Sequence, residues 1–169
     1  NGNIYIGVVG PVRTGKSTFI KRFMELMVLP QIEDPFYRER TQDELPQSGA
    51  GKTIMTTEPK FIPDEAIPLK FDHIELQVRL VDCVGYTVEG ARGYLDEMGP
   101  RMVITPWHST PVTFQTAAEM GTKKVIQDHS TIGLVITTDG SITEIPRENY
   151  VPAEERVISE LSALGKPFV

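Results

Sequence analysis

Gly10-Pro11-Val12-Arg13-Thr14-Gly15-Lys16-Ser17 brackets four variable positions between two glycines and follows the second with Lys and Ser, the spacing of a Walker A phosphate-binding loop. The residues around it supply the context that the spacing requires. Asn3 to Val9 is apolar and rich in β-branched and aromatic residues, which predicts a buried strand ending at Gly10. From Lys16 the period changes: Phe19, Ile20, Phe23, Met24 and Met27 recur at three- and four-residue steps, one apolar helix face that Pro30 closes. A glycine-rich turn between a strand and a helix can aim successive backbone N–H groups at an anion, and the helix start adds its unpaired amides and positive dipole end.

Further along, Ile74, Leu76, Val78 and Leu80 alternate with Glu75, Gln77 and Arg79, a period-two strand ending at Asp82. Thr53 to Phe61 is β-prone, with Pro59 and Pro63 confining it to an edge or a strand end. So few residues separate these two segments that they are expected to pair antiparallel. The polar stretch 31–52, with Gly49 and Gly51, reads as a long functional loop. Residues 86–111 are rich in Gly, Pro and aromatic side chains and show no regular period. A helix is expected over 113–126, a buried strand over 131–137, and a helix with Pro152 in its first turn and Gly165 at its cap. The order predicts an α/β fold of P-loop NTPase type: three layers, a mainly parallel sheet with an antiparallel second strand, and helices on both faces. Ligands of such sheets sit at the carboxyl ends of the strands, where Gly10, Asp82 and Asp139 fall.

The 169 residues suit one domain, and 40% hydrophobic with 24% charged is ordinary globular composition. A net charge of −6 gives no broad positive field for nucleic acid or an anionic bilayer, and the basic pairs Lys21-Arg22 and Lys123-Lys124 fall on expected helices. Cys83 is the only cysteine, so no internal disulfide forms, and it reads as a small buried residue. No apolar run approaches the ~18 residues of a membrane span. The chain begins without Met, and Lys166-Pro167-Phe168-Val169 reads as the opening of a strand, so a piece of a longer protein, truncated near residue 167, is expected.

Each residue type of the loop has a chemical use. Gly10 and Gly15 permit close backbone approach, Lys16 reaches the β- and γ-phosphates, Ser17 is placed to ligate Mg2+, and Thr18 to bond the α-phosphate. Arg13 and Thr14 fill variable positions that border the nucleotide, and for Arg13 a solvated side chain is an equal expectation. Asp82 at its strand end suits a magnesium-bound water, and the Gly85 amide can approach a γ-phosphate. The Thr53-Ile54-Met55-Thr56-Thr57 segment is the expected switch, in which Thr57 is a candidate magnesium ligand. Tyr86, not Gln, follows Gly85, so no glutamine there can orient an attacking water, and Thr56 or Thr57 is the substitute catalytic candidate beside Lys16. Threonines also simply suit strands.

The order of motifs resembles the translation-factor-related class of P-loop NTPases. Gly10 to Thr18, Arg40-Thr-Gln-Asp-Glu-Leu-Pro46, Gly51-Lys-Thr-Ile-Met-Thr-Thr-Glu-Pro-Lys-Phe61 and Thr137-Thr-Asp-Gly-Ser141 narrow the resemblance to the stage IV sporulation protein A family of spore coat ATPases. It implies ATP rather than GTP, hydrolysis assisted by the threonines at 56 and 57, and self-assembly into a polymer on the forespore surface, in the mother-cell cytoplasm. It also implies stage V sporulation protein M as a membrane-surface partner. The residues themselves leave open a GTP-dependent switch or ribosome-assembly GTPase, because the chain stops inside the strand that would carry a guanine-reading motif.

Overall fold

The computed structural model describes residues 2–46 and 57–169. In chain order the elements are β1 (Asn3–Val9), α1 (Lys16–Phe23) running into a π-helical turn (Met24–Val28), α2 (Pro35–Asp43), β2 (Lys60–Phe71) and β3 (Ile74–Asp82). Four two-residue strands follow: β4 (Leu95–Asp96), β5 (Gly99–Pro100), β6 (Met102–Val103) and β7 (Val112–Thr113). Then come α3 (Phe114–Lys124) with its own π-helical turn (Val125–His129), β8 (Ile132–Val135) and α4 (Val151–Ala163).

The main sheet has the order β2-β3-β1-β8. β1 is parallel to both neighbours, and β2 pairs antiparallel with β3, as the expected mixed sheet requires. Successive β1 side chains point to opposite faces, and they feed two different clusters. Val8 packs with Ile20, Met24 and Val28 from α1 and its turn and with Ile62 and Leu80 of the sheet. Val9 and Val81 pack instead with Val125, Ile126, Val157 and Leu161 from the α3 turn and α4. Each fully buried side chain of this size, such as Ile20 or Leu161, contributes roughly 1.5–3 kcal/mol of hydrophobic stabilisation.

The helix ends are capped, at Gly165 as the sequence predicts and at Thr113 by a cap that it does not single out. The Thr113 hydroxyl accepts from the Thr116 amide at the start of α3 at 3.1 Å. At the end of α4 the Lys166 amide donates to Leu161 O at 3.1 Å and the Gly165 amide to Ser162 O at 3.0 Å, a Schellman closure. The final residues add a strand beyond β8: Phe168 bridges Gly133 in parallel, and the Val169 amide donates to Gly133 O at 3.0 Å.

Two expectations need correction. The stretch 31–52 is not one irregular loop, because it contains α2. The Asp34 carboxylate caps that helix by accepting from the Phe36 and Tyr37 amides at 2.8 and 3.1 Å, with Pro35 in the first turn. Thr41 is its one buried residue, so no apolar stripe announces it. The second strand runs over Lys60–Phe71 rather than Thr53–Phe61, and of the expected strand the residues 53–56 lie outside the described ones. Pro63 and Pro68 sit within it because it is an edge strand with a register shift between Ile62 and Ile67. Residues 95–113 form two small antiparallel pairs, β4 with β5 and β6 with β7. Among the described residues no helix is long and apolar enough to cross a membrane.

Candidate functional site

The loop after β1 is fastened to the segment after β3. The Tyr86 amide donates to Gly10 O at 3.1 Å and the Val12 amide to Tyr86 O at 2.9 Å, which continues the parallel sheet pattern past the strand ends. At Gly10, with φ +143, a Cβ would fall 2.3 Å from Ile136 O, so only glycine fits there. Gly15 turns the chain into α1 with φ +92, and its carbonyl receives the Phe19 amide at 2.9 Å. The amides of Lys16, Ser17 and Thr18 therefore open the helix without intrahelical partners, at its positive end.

Arg13 sits at the outer bend with φ +59; its side chain is exposed and its Nη2 donates to Arg92 O at 3.4 Å. The buried Thr14 hydroxyl donates to Pro11 O at 3.0 Å. Lys16 is only 5% exposed and its Nζ donates to the same carbonyl at 2.5 Å. Burial pushes the ammonium pKa down, opposed by the neighbouring Cys83 and Asp82. Thr18 is exposed on the first turn of α1.

The acid expected at the end of β3 meets the loop directly. The Ser17 hydroxyl donates to Asp82 Oδ2 at 2.8 Å. Asp82 Oδ1 is buried and has no hydrogen-bond partner, an arrangement that costs about 1–3 kcal/mol or more when the group is charged. Burial raises the Asp82 pKa, opposed by the Ser17 bond and by Lys16. A buried carboxylate oxygen with spare lone pairs beside a serine hydroxyl is a donor set that fits Mg2+ or one of its waters. Among the described residues no group of three or more His, Cys, Asp and Glu side chains converges as a metal cluster.

Gly85 has φ +99, and a Cβ there would lie 2.5 Å from Gly10 O and 2.6 Å from Lys16 Nζ. Its backbone thus rests against the lysine ammonium. Its amide donates to Thr122 Oγ1 of α3 at 3.1 Å, a partner that sequence reasoning missed, since a threonine within an amphipathic helix carries no signal of its own. Thr57 is buried, and its carbonyl oxygen stands 2.4 Å from where a Cβ of Gly121 would be. The structure therefore joins Gly10, Lys16, Ser17, Asp82 and Gly85 directly and ties Thr57 to them through α3. Thr56 lies outside the described residues.

Tyr86 is buried to 1% exposure, and its hydroxyl donates to Glu160 of α4. The Arg156 guanidinium stacks 3.9 Å from the ring centroid and pairs with Glu119 and Glu160 at 3.2 Å each. A buried aromatic anchor, not a water-orienting polar group, occupies this position. Cys83 is buried, with Sγ 3.5 Å from Val8 O, and burial pushes its thiol up to about 11. Asp139 stands apart: its Oδ1 accepts from the Ser141 amide at 2.9 Å and hydroxyl at 2.6 Å, bonds that hold its pKa down.

Residues 1–169, which include this strand–loop–helix junction with its buried lysine and facing acid, match the family model described as "Stage IV sporulation protein A, ATPase domain". The chain belongs to the stage IV sporulation protein A family. It is 66% identical over 169 residues to "Stage IV sporulation protein A" of Bacillus anthracis and 65% identical over 169 residues to that of Bacillus subtilis (strain 168). It is 61% identical over 168 residues to that of Clostridioides difficile (strain 630). In all three, 99% of this chain aligns, and it spans 34% of the relative's length.

Proposed function

We propose that this domain binds ATP with Mg2+ on a three-layer P-loop NTPase fold and hydrolyses it. The observation that carries the proposal is the Ser17–Asp82 pair at 2.8 Å, with Asp82 Oδ1 unpartnered beside the buried Lys16. Those groups are spaced for a divalent cation and for the polyphosphate it accompanies. ATP is favoured over GTP by the ATPase-domain family match.

In this reading Gly10, Arg13, Thr14 and Gly15 line the phosphate cradle, and Thr18 bonds the α-phosphate. Lys16 exchanges its bond to Pro11 O for the β- and γ-phosphates. Its depressed pKa reflects burial without a full counter-charge, and an incoming polyanion removes that penalty. Ser17, Asp82 and Thr57 hold the metal. A magnesium ion held there would supply neutralisation of the polyphosphate's charge. Thr56 and Thr57 position the attacking water, the role for which Tyr86 is unsuited because its hydroxyl is committed to Glu160.

In the longer protein, nucleotide turnover drives self-assembly into a spore coat polymer on the forespore surface, in the mother-cell cytoplasm, with stage V sporulation protein M as the membrane-surface partner. Phosphate release by the full-length protein with ATP and with GTP, in parallel with Lys16→Ala, tests the reading. Release from ATP that Lys16→Ala abolishes supports it. Equal release by Lys16→Ala, or release from GTP alone, overturns it.

A further inference from the structure

The Gly85 amide carries one hydrogen, and that hydrogen is given to Thr122 Oγ1 at 3.1 Å. Thr122 is completely buried, and its own hydroxyl hydrogen goes to Ala118 O, one helical turn back, at 2.8 Å. The hydroxyl is thereby oriented: its donor faces the helix, and its lone pairs face Gly85. Gly85 is also the residue whose backbone lies against the Lys16 ammonium, within 2.6 Å of Nζ for an added Cβ. A γ-phosphate held by Lys16 therefore reaches the neighbourhood of an amide that is already committed elsewhere.

The residue before Thr122 adds a second contact. Gly121 lets the Thr57 carbonyl approach α3 to 2.4 Å from the position of a Cβ. Consecutive residues of α3 thus meet both the segment after β3 and the end of the threonine-bearing segment. α3 is anchored independently by its Thr113 cap and by Phe114, Ala117 and Ala118 in the core, so it is a fixed support for both segments.

We propose that Thr122 is a positioning residue that latches the Gly85 amide on α3, so that recognition of a γ-phosphate requires the amide to exchange Thr122 Oγ1 for a phosphate oxygen. The proposal rests on the nucleotide reading above and deepens it: Thr122 sets how strongly the site distinguishes a triphosphate from a diphosphate. The latch bond opposes triphosphate binding by the free energy of that exchange and leaves diphosphate binding untouched, since a diphosphate has no group for the Gly85 amide.

Binding of a non-hydrolysable ATP analogue and of ADP, each with Mg2+, is measured on the full-length protein unmodified and as Thr122→Val, Thr122→Ala and Thr122→Ser. Thermal melts confirm that each variant is folded. Removal of the Thr122 acceptor leaves the Gly85 N–H with only the weak sulfur acceptor of Cys83 until phosphate arrives, so Thr122→Val is expected to bind the triphosphate about tenfold tighter relative to ADP. Thr122→Ser keeps the hydroxyl and the unmodified ratio. Should Thr122→Val fail to fold, Thr122→Ala removes the same acceptor without filling the space. A triphosphate-to-diphosphate ratio that is the same in all folded variants overturns the latch while leaving the nucleotide reading intact. An unmodified protein that binds neither nucleotide overturns both.

Discussion

Gly85 and Lys16, far apart in the chain, stand so close that an alanine methyl at residue 85 would lie 2.6 Å from Lys16 Nζ. The same methyl would lie 2.5 Å from Gly10 O, on a backbone whose φ of +99 already disfavours any side chain. Gly85→Ala therefore pushes the lysine and the loop out of register. Nucleotide binding is expected to be lost, with a destabilisation of about 1–3 kcal/mol from the strained backbone alone. A binding titration together with a thermal melt reads both, and retention of affinity would refute the close packing.

The threonines proposed for the switch are expected to separate binding from chemistry. Thr56→Ala with Thr57→Ala is expected to leave ATP affinity within a few-fold while hydrolysis slows by about a hundredfold, the range for a lost water-positioning group. Steady-state phosphate release beside equilibrium binding distinguishes the two effects. A double variant that hydrolyses at the unmodified rate assigns the catalytic role elsewhere.

Cys83 is close to the phosphate loop and nonetheless chemically quiet. With its thiol pushed from 9.0 up to about 11, the thiolate fraction near pH 8 falls about a hundredfold below that of an exposed cysteine. A colourimetric thiol reagent should react with the unfolded chain at once and with the folded protein only slowly. Because the folded thiol holds its proton more tightly than the unfolded one, its contribution to stability is full below pH 9.0 and is lost as pH rises through about 11.

Tyr86 ties the phosphate loop to α4 through its hydroxyl on Glu160 and its ring under Arg156. Tyr86→Phe keeps the ring and its stacking and removes one hydrogen bond to a charged acceptor. The expected loss is about 1.5–3 kcal/mol, or a fall in Tm of roughly 3–12 °C for a domain of this size. Tyr86→Leu also loses the ring that carries Arg156 and should cost more. Equal melting temperatures for Tyr86→Phe and the unmodified protein would mean that the Glu160 contact contributes nothing.

Legibility in the sequence followed the strength of each physical signal. The junction of β1, loop and α1 was readable because the glycine spacing, the change from strand to helix period and the Lys-Ser pair all point to one structure. β3 and Asp82 were readable from strict alternation ending in an acid. α2 was hidden because its residues bury only Thr41, although Asp34-Pro35 carried a start signal that the polar surroundings obscured. The extent of β2 was misplaced because Pro59 and Pro63 marked an edge or an end without deciding between them, and an edge strand with a register shift accommodates both Pro63 and Pro68. Thr122 could not be found from sequence at all: its role depends on a lone pair meeting Gly85 across 37 residues, and nothing local distinguishes it from any other helical threonine.

The central claim is that the amides from Gly10 to Thr18, with Asp82 and Gly85 facing them, enclose a magnesium polyphosphate. Hydrogen exchange of the full-length protein, followed by mass spectrometry with and without Mg2+ and ATP, tests it most directly. The account predicts slowed exchange in peptides covering 10–18 and 82–86, and no such slowing in Lys16→Ala. Unchanged exchange across both segments at saturating nucleotide would contradict it.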